Sequence, residues 1–313
     1  MNTQIITVTL NPMLEKRLWI DHFTLGEIHR CQHSECNAGG KGVNVARQLL
    51  QLGNRPFALL CAGGSSGQFL DELLTKESLP HRILDTGSML REGWTIYDQN
   101  QKEIGSFFEP SASLPLSMLQ ELKEGIAEQS HEAKWLACCG SPPDADSSFI
   151  YHSLICEAKQ AGLLTALDTY GMTLEQAITA CPTLLKINAQ EAAALCGHDV
   201  TDIPSFSDFL QKIAPFQIPY CIITQGAKPF FGAHRGAIWR VSPPFVETKN
   251  PTGSGDSLLA GVLSALLEDA DFATALRRGA AAGAANASQH SVSNAAKKDI
   301  EVFLSQVICE ECC

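Results

Sequence analysis

Asn250-Pro251-Thr252-Gly253-Ser254-Gly255-Asp256 leads straight into the apolar run Ser257-Leu258-Leu259-Ala260-Gly261-Val262-Leu263. Glycines flank Ser254, so the peptide N–H groups of Gly253, Ser254 and Gly255 can point at one spot. The apolar run behind them reads as a buried helix whose positive end faces that spot. A phosphoryl group suits such a turn. Asp256 falls where turn becomes helix, and two readings compete: a simple helix cap, or a carboxylate base set beside an anion site. A second element decides between them. Asn37-Ala38-Gly39-Gly40-Lys41-Gly42-Val43-Asn44-Val45-Ala46-Arg47 precedes the helical pattern Val45, Leu49, Leu50, Leu52. Here Lys41 adds a mobile cation and Asn44 an amide one turn on, a combination that grips phosphorylated or polyhydroxylated ligands. Gly-x-x-x-x-Gly-Lys-Ser/Thr is absent from the sequence, so a Walker-type nucleotide site is not supported.

In this order the two elements resemble the paired signatures of the ribokinase-like carbohydrate kinases, the PfkB family, and within it the phosphosugar branch of 1-phosphofructokinase and tagatose-6-phosphate kinase. Further landmarks carry the likeness: Thr7-Val8-Thr9-Leu10-Asn11-Pro12 at the start, Cys139-Gly140-Ser141-Pro142-Pro143, Leu167-Asp168-Thr169, Lys186-Ile187-Asn188-Ala189-Gln190-Glu191, and Asn250-Pro251 ahead of the glycines. The resemblance implies an α/β fold, a ribokinase-like three-layer α/β/α sandwich with a mainly parallel central sheet and a small β lid. It also implies ATP as phosphoryl donor, Mg²⁺ on the polyphosphate, and a ketohexose phosphate as acceptor, with fructose 1-phosphate ahead of tagatose 6-phosphate or fructose 6-phosphate. A kinase of an unphosphorylated sugar or nucleoside, or a non-catalytic sugar-phosphate-binding protein, are the alternatives.

Phosphoryl transfer to a hydroxyl needs a base, donors for the moving charge and a metal on the polyphosphate. Asp256 is the candidate base, with Gly253, Ser254 and Gly255 as peptide donors. Lys186 can bridge the transferred phosphate and the substrate. Asn188 and Glu191 stand one helical turn apart, a spacing suited to holding hydrated Mg²⁺ through water. For the nucleotide, the resemblance points to Thr224 and Gly226 in Thr224-Gln225-Gly226, and to Asn286 on a late Ala-rich helix. On the acceptor side it points to Lys41 and Arg91 as a phosphate-binding pair and to Gly39, Gly40 and Asn44 facing hydroxyls. Glu15 stands where the family carries an Asp that holds the sugar's hydroxyls. Leu90-Arg91-Glu92-Gly93-Trp94 lacks the asparagine of a Thr-Arg-x-Asn element, and Ala227-Lys228-Pro229-Phe230 departs from the usual glycine-containing continuation. Two of these departures concern the acceptor, and none touches the transfer machinery.

At 313 residues, 45% hydrophobic and 18% charged, the chain suits about two domains or one large α/β domain with an appendage; the resemblance implies one kinase domain spanning 1–313, with a discontinuous lid from about 13–36 and 88–107. Runs such as Trp19-Ile20-Asp21 and Thr95 to Ile104 alternate apolar and polar as half-exposed strands do, the second around a polar turn; the resemblance implies that they form the lid and can pair two subunits. Strand candidates are Ile5 to Leu10, Phe57 to Ala62, Trp135 to Cys138, Leu164 to Leu167, Thr183 to Ile187 and Tyr220 to Thr224. Helical stretches include Gln68 to Lys76, Ser117 to Gln129 and Phe149 to Gln160, and the run from Asp271 to Asn286 reads as a tightly packed helix. No signal peptide or apolar run near the ~20 residues of a membrane span is evident, and a cytoplasmic location is expected. The formal charge of −11 argues against nucleic-acid partners. Among 12 cysteines, Cys61, Cys138, Cys139, Cys181, Cys196 and Cys221 read as buried small hydrophobes, and Cys309-Glu310-Glu311-Cys312-Cys313 as loose terminal thiols without a second pair to complete a zinc site.

Overall fold

Ile5-Ile6-Thr7-Val8-Thr9 is buried at every position, as a strand covered on both faces must be. It is an interior strand, two places from the β5 edge of the main sheet, in a computed structural model that describes residues 3–98 and 103–312. In chain order the strands are β1 (Ile5–Thr9), β2 (Met13–Trp19), β3 (His33–Gly39), β4 (Pro56–Gly63), β5 (His81–Met89), β6 (Arg91–Tyr97), β7 (Glu103–Phe108), β8 (Trp135–Cys139), β9 (Leu164–Asp168), β10 (Leu184–Asn188), β11 (Tyr220–Thr224), β12 (Phe230–His234), β13 (Ala237–Ser242) and β14 (Ile308–Cys312). The helices are α1 (Lys41–Gln51), α2 (Gly64–Lys76), α3 (Met118–Gln129), α4 (Ile150–Gln160), α5 (Gly171–Ala177), α6 (Ala189–Cys196), α7 (Ile203–Ile213), α8 (Ser254–Leu267), α9 (Phe272–Ala287) and α10 (Lys297–Leu304).

Ten strands form one sheet in the order β14-β13-β12-β11-β10-β9-β8-β1-β4-β5. From β11 to β5 the pairings are parallel; β12, β13 and β14 add an antiparallel edge. Successive side chains divide between the two faces. Ile6, Val8, Leu136 and Cys138 pack with α3, α4 and α7, whereas Ile5, Trp135, Ala137 and Cys139 pack with α1, α8 and α9. The result is the three-layer α/β/α arrangement, and all six expected strands lie in its sheet. The chain builds outward from β1 in one direction through β4 and β5, then returns to β8 and builds the other way. Such a reversal opens a crevice at the carboxyl ends of the strands.

Two glycines let the α8 and α9 helices touch. A Cβ on Gly261 would lie 2.8 Å from the Arg278 carbonyl oxygen, and one on Gly279 would lie 2.7 Å from Val262 Cγ2. This is the close packing expected of the Ala280–Ala285 run.

A second sheet has the order β3-β2-β6-β7 and corresponds to the two half-exposed segments. Its first strand begins at Met13, directly after Pro12, so Glu15 is a strand residue; the polar turn of the second segment lies at 99–102, outside the described residues. Two cysteine expectations are corrected. Cys309 and Cys312 are not loose: they belong to β14, which takes up the open edge of β13 in antiparallel register from Ile238↔Cys312 to Ser242↔Ile308. Cys313 lies outside the described residues. Cys181 and Cys196 are only half-buried, because both stand at helix ends rather than within the sheet, unlike Cys61, Cys138, Cys139 and Cys221.

Candidate active site

The turn before α8 is held from behind. Gly253 adopts φ 78°, the left-handed conformation that glycine tolerates, and a Cβ there would meet Val292 Cγ1 at 2.5 Å. Asn286, fully buried on α9, donates through Nδ2 to the Thr252 carbonyl (2.8 Å) and to Ser254 Oγ (2.9 Å), and accepts from the Ser293 N–H through Oδ1 (2.6 Å). Ser293 Oγ donates in turn to the Gly253 carbonyl at 3.1 Å. Asn286 therefore braces the turn from behind and is not among the residues that line the cleft, where the resemblance put it. The turn's donors also differ from expectation. Ser254 N–H is spent on the Pro251 carbonyl (3.1 Å), while the Gly253 and Gly255 N–H groups have no protein acceptor among the described residues.

Asp256, in the first turn of α8, is 6% exposed and accepts a hydrogen bond at Oδ2 from Asn44 Nδ2 (2.8 Å). That bond joins positions 212 apart in sequence and brings the two glycine turns to one place. Oδ1 receives no donor from the described residues. Burial raises the Asp256 pKa above its ordinary value, with the neighbouring Asp168 charge adding to the effect; Lys41, Lys186 and the Asn44 bond pull it back.

Behind Asp256 lies a carboxylate to which sequence reasoning gave no role. Asp168, at the end of β9 and fully buried, accepts from Lys41 Nζ at Oδ1 and from Lys186 Nζ at Oδ2, each at 2.7 Å. Burial opposes its charge, but Lys186 and Lys41 outweigh burial and hold its pKa below the ordinary carboxylate value. For Lys41, burial favours the neutral form; Asp168, Asp256 and Glu191 overcome it and hold the ammonium firmly charged. Lys41 is therefore tethered rather than mobile. Lys186 stands at the mouth of the anion turn, since a Cβ on Gly255 would lie 2.9 Å from its Nζ.

These groups open into a cleft of about 1350 Å³. It is lined by Glu15, Gly40, Lys41, Asn44, Arg91, Lys186, Asn188, Thr224, Gly226 and the turn from Gly253 to Asp256; Gly39, Glu191 and Asn286 stand behind it. At the acceptor end, Arg91 reaches the Asn11 carbonyl at 3.4 Å and its pKa is lowered by burial. Glu15 is buried, and burial raises its pKa against the opposing charges of Arg17 and Arg47. The two acceptor-side departures are neighbours, for Glu15 on β2 pairs in register with Gly93 on β6. A Cβ on Gly93 would meet Phe108 Cδ1 at 2.9 Å, so a larger residue there requires the exposed Phe108 ring to move aside.

At the other end, Asn188 caps α6. Its Oδ1 accepts from the Glu191 N–H (2.9 Å), and Glu191 Oε2 accepts from the Asn188 N–H (2.8 Å). Glu191 Oε1 remains, 3.9 Å from Lys41 Nζ. Among the described residues, there is no group of three His, Cys, Asp or Glu side chains that could hold a metal directly. One spare carboxylate oxygen fits Mg²⁺ held through its water shell. Thr224 Oγ1 donates to the Ile187 carbonyl at 3.4 Å and Gly226 takes φ 63°, so this strand end turns sharply into the cleft.

The profile of the pfkB family carbohydrate kinases matches residues 8–299. The chain belongs to that family. It is accordingly an ATP-dependent carbohydrate kinase. A tagatose-6-phosphate kinase of Staphylococcus epidermidis is 28% identical over 286 residues, covering 90% of this chain and 92% of the relative. Among solved structures, phosphofructokinase-2 from Escherichia coli in complex with potassium superposes with a TM-score of 0.89 at 25% identity, covering 97% of this chain and 99% of the other. A possible 1-phosphofructokinase from Thermotoga maritima gives 0.88 at 21% identity over 99% and 100% of the two chains, a likeness of fold.

Within this kinase the residues missed by sequence reasoning are Asp168, Arg47, Glu77 and Ser293. For two of them a signal was present. Asp168 ends a strand on the crevice side of the sheet, and Arg47 follows Asn44 at the i+3 spacing that shares a helix face. Glu77 and Ser293 are brought in by tertiary structure alone. No helix among the described residues is long and apolar enough to cross a membrane.

Proposed function

We propose that this kinase transfers the γ-phosphoryl group of ATP to a hydroxyl of a ketohexose monophosphate, with Asp256 as general base. The observation that carries the reading is the 2.8 Å bond from Asn44 to Asp256, which sets a buried carboxylate between the acceptor-side glycines and the anion turn. In the reaction the acceptor O–H proton passes to Asp256 Oδ1, the acceptor oxygen bonds to the γ-phosphorus, and the bond to the β-phosphate oxygen breaks to release ADP. Gly253 and Gly255 N–H groups and the Lys186 ammonium face the charge that develops on the transferred group. Glu191 Oε1, held in place by its cap with Asn188, would hold Mg²⁺ through water, and the ion would supply counter-charge to the polyphosphate. Thr224 and Gly226 border the nucleotide.

Glu15, Gly40 and Asn44 face the acceptor's hydroxyls, with Gly39 behind Gly40, and Arg91 with the tethered Lys41 faces its phosphate. The four-stranded sheet acts as the lid, since it contributes Glu15 and Arg91 to the cleft. Phe23, Leu25, Ile28, Phe107 and Phe108 are exposed in and around that sheet, which supports pairing of two subunits through it. The setting is the cytoplasm. The start-of-chain motifs fit the branch that holds both 1-phosphofructokinase and tagatose-6-phosphate kinase; fructose 1-phosphate is put ahead as acceptor, whereas the S. epidermidis relative is named for tagatose 6-phosphate. ADP release measured with fructose 1-phosphate, tagatose 6-phosphate, fructose 6-phosphate, the matching neutral sugars and nucleosides separates the readings. Turnover confined to one or more ketohexose phosphates is expected; turnover only with neutral acceptors, or with none, would overturn the proposal.

A further inference from the structure

Arg47, one turn beyond Asn44 on α1, is buried, and every N–H of its guanidinium has an acceptor. Nε donates to Glu77 Oε2 at 2.6 Å and Nη2 to Glu77 Oε1 at 3.0 Å, a two-point clamp on the residue that ends α2. Nη2 also donates to the Ala38 carbonyl (2.7 Å), and Nη1 to the Val292 carbonyl (3.5 Å) and to Asn44 Oδ1 (3.1 Å). A guanidinium only donates, so Asn44 must turn its oxygen to Arg47 and its Nδ2 to Asp256.

We propose that Arg47, braced by Glu77, is a positioning residue that locks the Asn44 amide so that its N–H is always presented to the Asp256 carboxylate. The chemistry follows from the two faces of an amide. With the lock in place, Asp256 receives a donor at Oδ2 and is favoured in the charged form that can accept a proton at Oδ1. Without it, the amide can rotate and turn its oxygen to Asp256, an arrangement that is acceptable only when Asp256 already carries a proton and is spent as a base. The other charged groups facing Asp256 are Lys41, Lys186 and Asp168, with Glu15 nearby; those facing Arg47 are Glu77 and Glu15. Glu15 lies on the acceptor side, so its disturbance reads out in acceptor KM, whereas the state of Asp256 reads out in kcat. The inference rests on Asp256 being the base.

The test is the pH dependence of kcat for the full-length kinase and three variants, Arg47→Met, Glu77→Gln and Asp256→Asn, at saturating ATP and acceptor. Positioning predicts that Arg47→Met lowers kcat about tenfold or more on the acid side and moves the acid limb upward by about one pH unit, the loss shrinking as pH rises. Glu77→Gln distinguishes a lock from a bare charge effect. Removing a negative charge near Asp256 would by electrostatics alone move the limb to lower pH; loosening the brace moves it to higher pH, the direction the proposal requires. Wild-type acid limbs in both variants, an equal loss at every pH, or a downward shift in Glu77→Gln would overturn it. If Arg47→Met does not fold, Glu77→Gln decides alone. The parent reading fails separately: an Asp256→Asn enzyme with wild-type kcat sinks the base assignment, whereas an inactive Asp256→Asn alongside unshifted Arg47 and Glu77 variants sinks only the lock.

Discussion

Asp256 and Asp168 are both buried in one cluster, yet their surroundings push them in opposite directions. The folded state holds the Asp168 pKa below the ordinary 3.8, so its contribution to stability is complete above that value and is lost as pH falls toward the depressed one. Asp256 has a raised pKa, so its ionisation as pH climbs past 3.8 subtracts from stability. Neutral amide substitutions should therefore differ in sign. Asp168→Asn leaves the Lys186 ammonium, only 4% exposed, and Lys41 without their shared counter-charge, and should cost about 3–5 kcal/mol in urea unfolding at pH 7. Asp256→Asn should leave the midpoint unchanged or raise it. A loss for Asp256→Asn as large as for Asp168→Asn would show that its carboxylate is a structural group. Burial also moves the acid limb of kcat for the wild-type enzyme upward from the ordinary aspartate value, which a pH–rate profile reads directly.

Among the elements, α8 serves two purposes, one at its first turn and one at its middle, and glycine substitutions separate them. At Gly255 a Cβ would lie 2.9 Å from Lys186 Nζ, the tip of a flexible side chain. Gly255→Ala should fold normally but lower kcat at least tenfold by displacing that ammonium. At Gly261 the Cβ would meet backbone, the Arg278 carbonyl at 2.8 Å, which cannot yield without moving α9. Gly261→Ala should cost about 1–3 kcal/mol with kcat little changed in the folded fraction, as thermal unfolding and active-site titration would establish. The same contrast explains what the sequence made legible. Continuous apolar runs such as Tyr220–Thr224 announce strands by local pattern, and β11 has the bounds that its residues suggest. By contrast, Ile308-Cys309-Glu310-Glu311-Cys312 is polar at alternate and adjacent places; it becomes β14 because β13 offers an open edge, a fact held by residues some 70 positions away. Asn286 likewise could be picked out as an amide in an alanine helix, but its three hydrogen bonds are settled by segments 252–254 and 293. The types of group at the site were legible; their partners were not, because partnership here is long-range.

For the molecule as a whole, a net charge of −11 opposes anionic ligands; on the proposed reading, capture depends on Lys41, Lys186, Arg91 and peptide dipoles, which lie in one cleft. Exposed apolar residues gather on and beside the small sheet, with Leu25 at 88% and Ile28 at 90% exposure. If that sheet joins two subunits, Leu25→Asp with Ile28→Asp should give a monomer in sedimentation velocity and raise acceptor KM; an unchanged sedimentation coefficient would remove the lid from any interface. The account's central claim is that one carboxylate, set between two glycine turns, takes the acceptor's proton. It is tested most directly by single-turnover phosphoryl transfer in Asp256→Asn, with ATP and acceptor affinities measured on the same preparation. The account predicts a rate lower by about 10²–10⁴-fold with both affinities within a few-fold of wild type. A wild-type rate would contradict it, as would a loss traceable entirely to weakened binding.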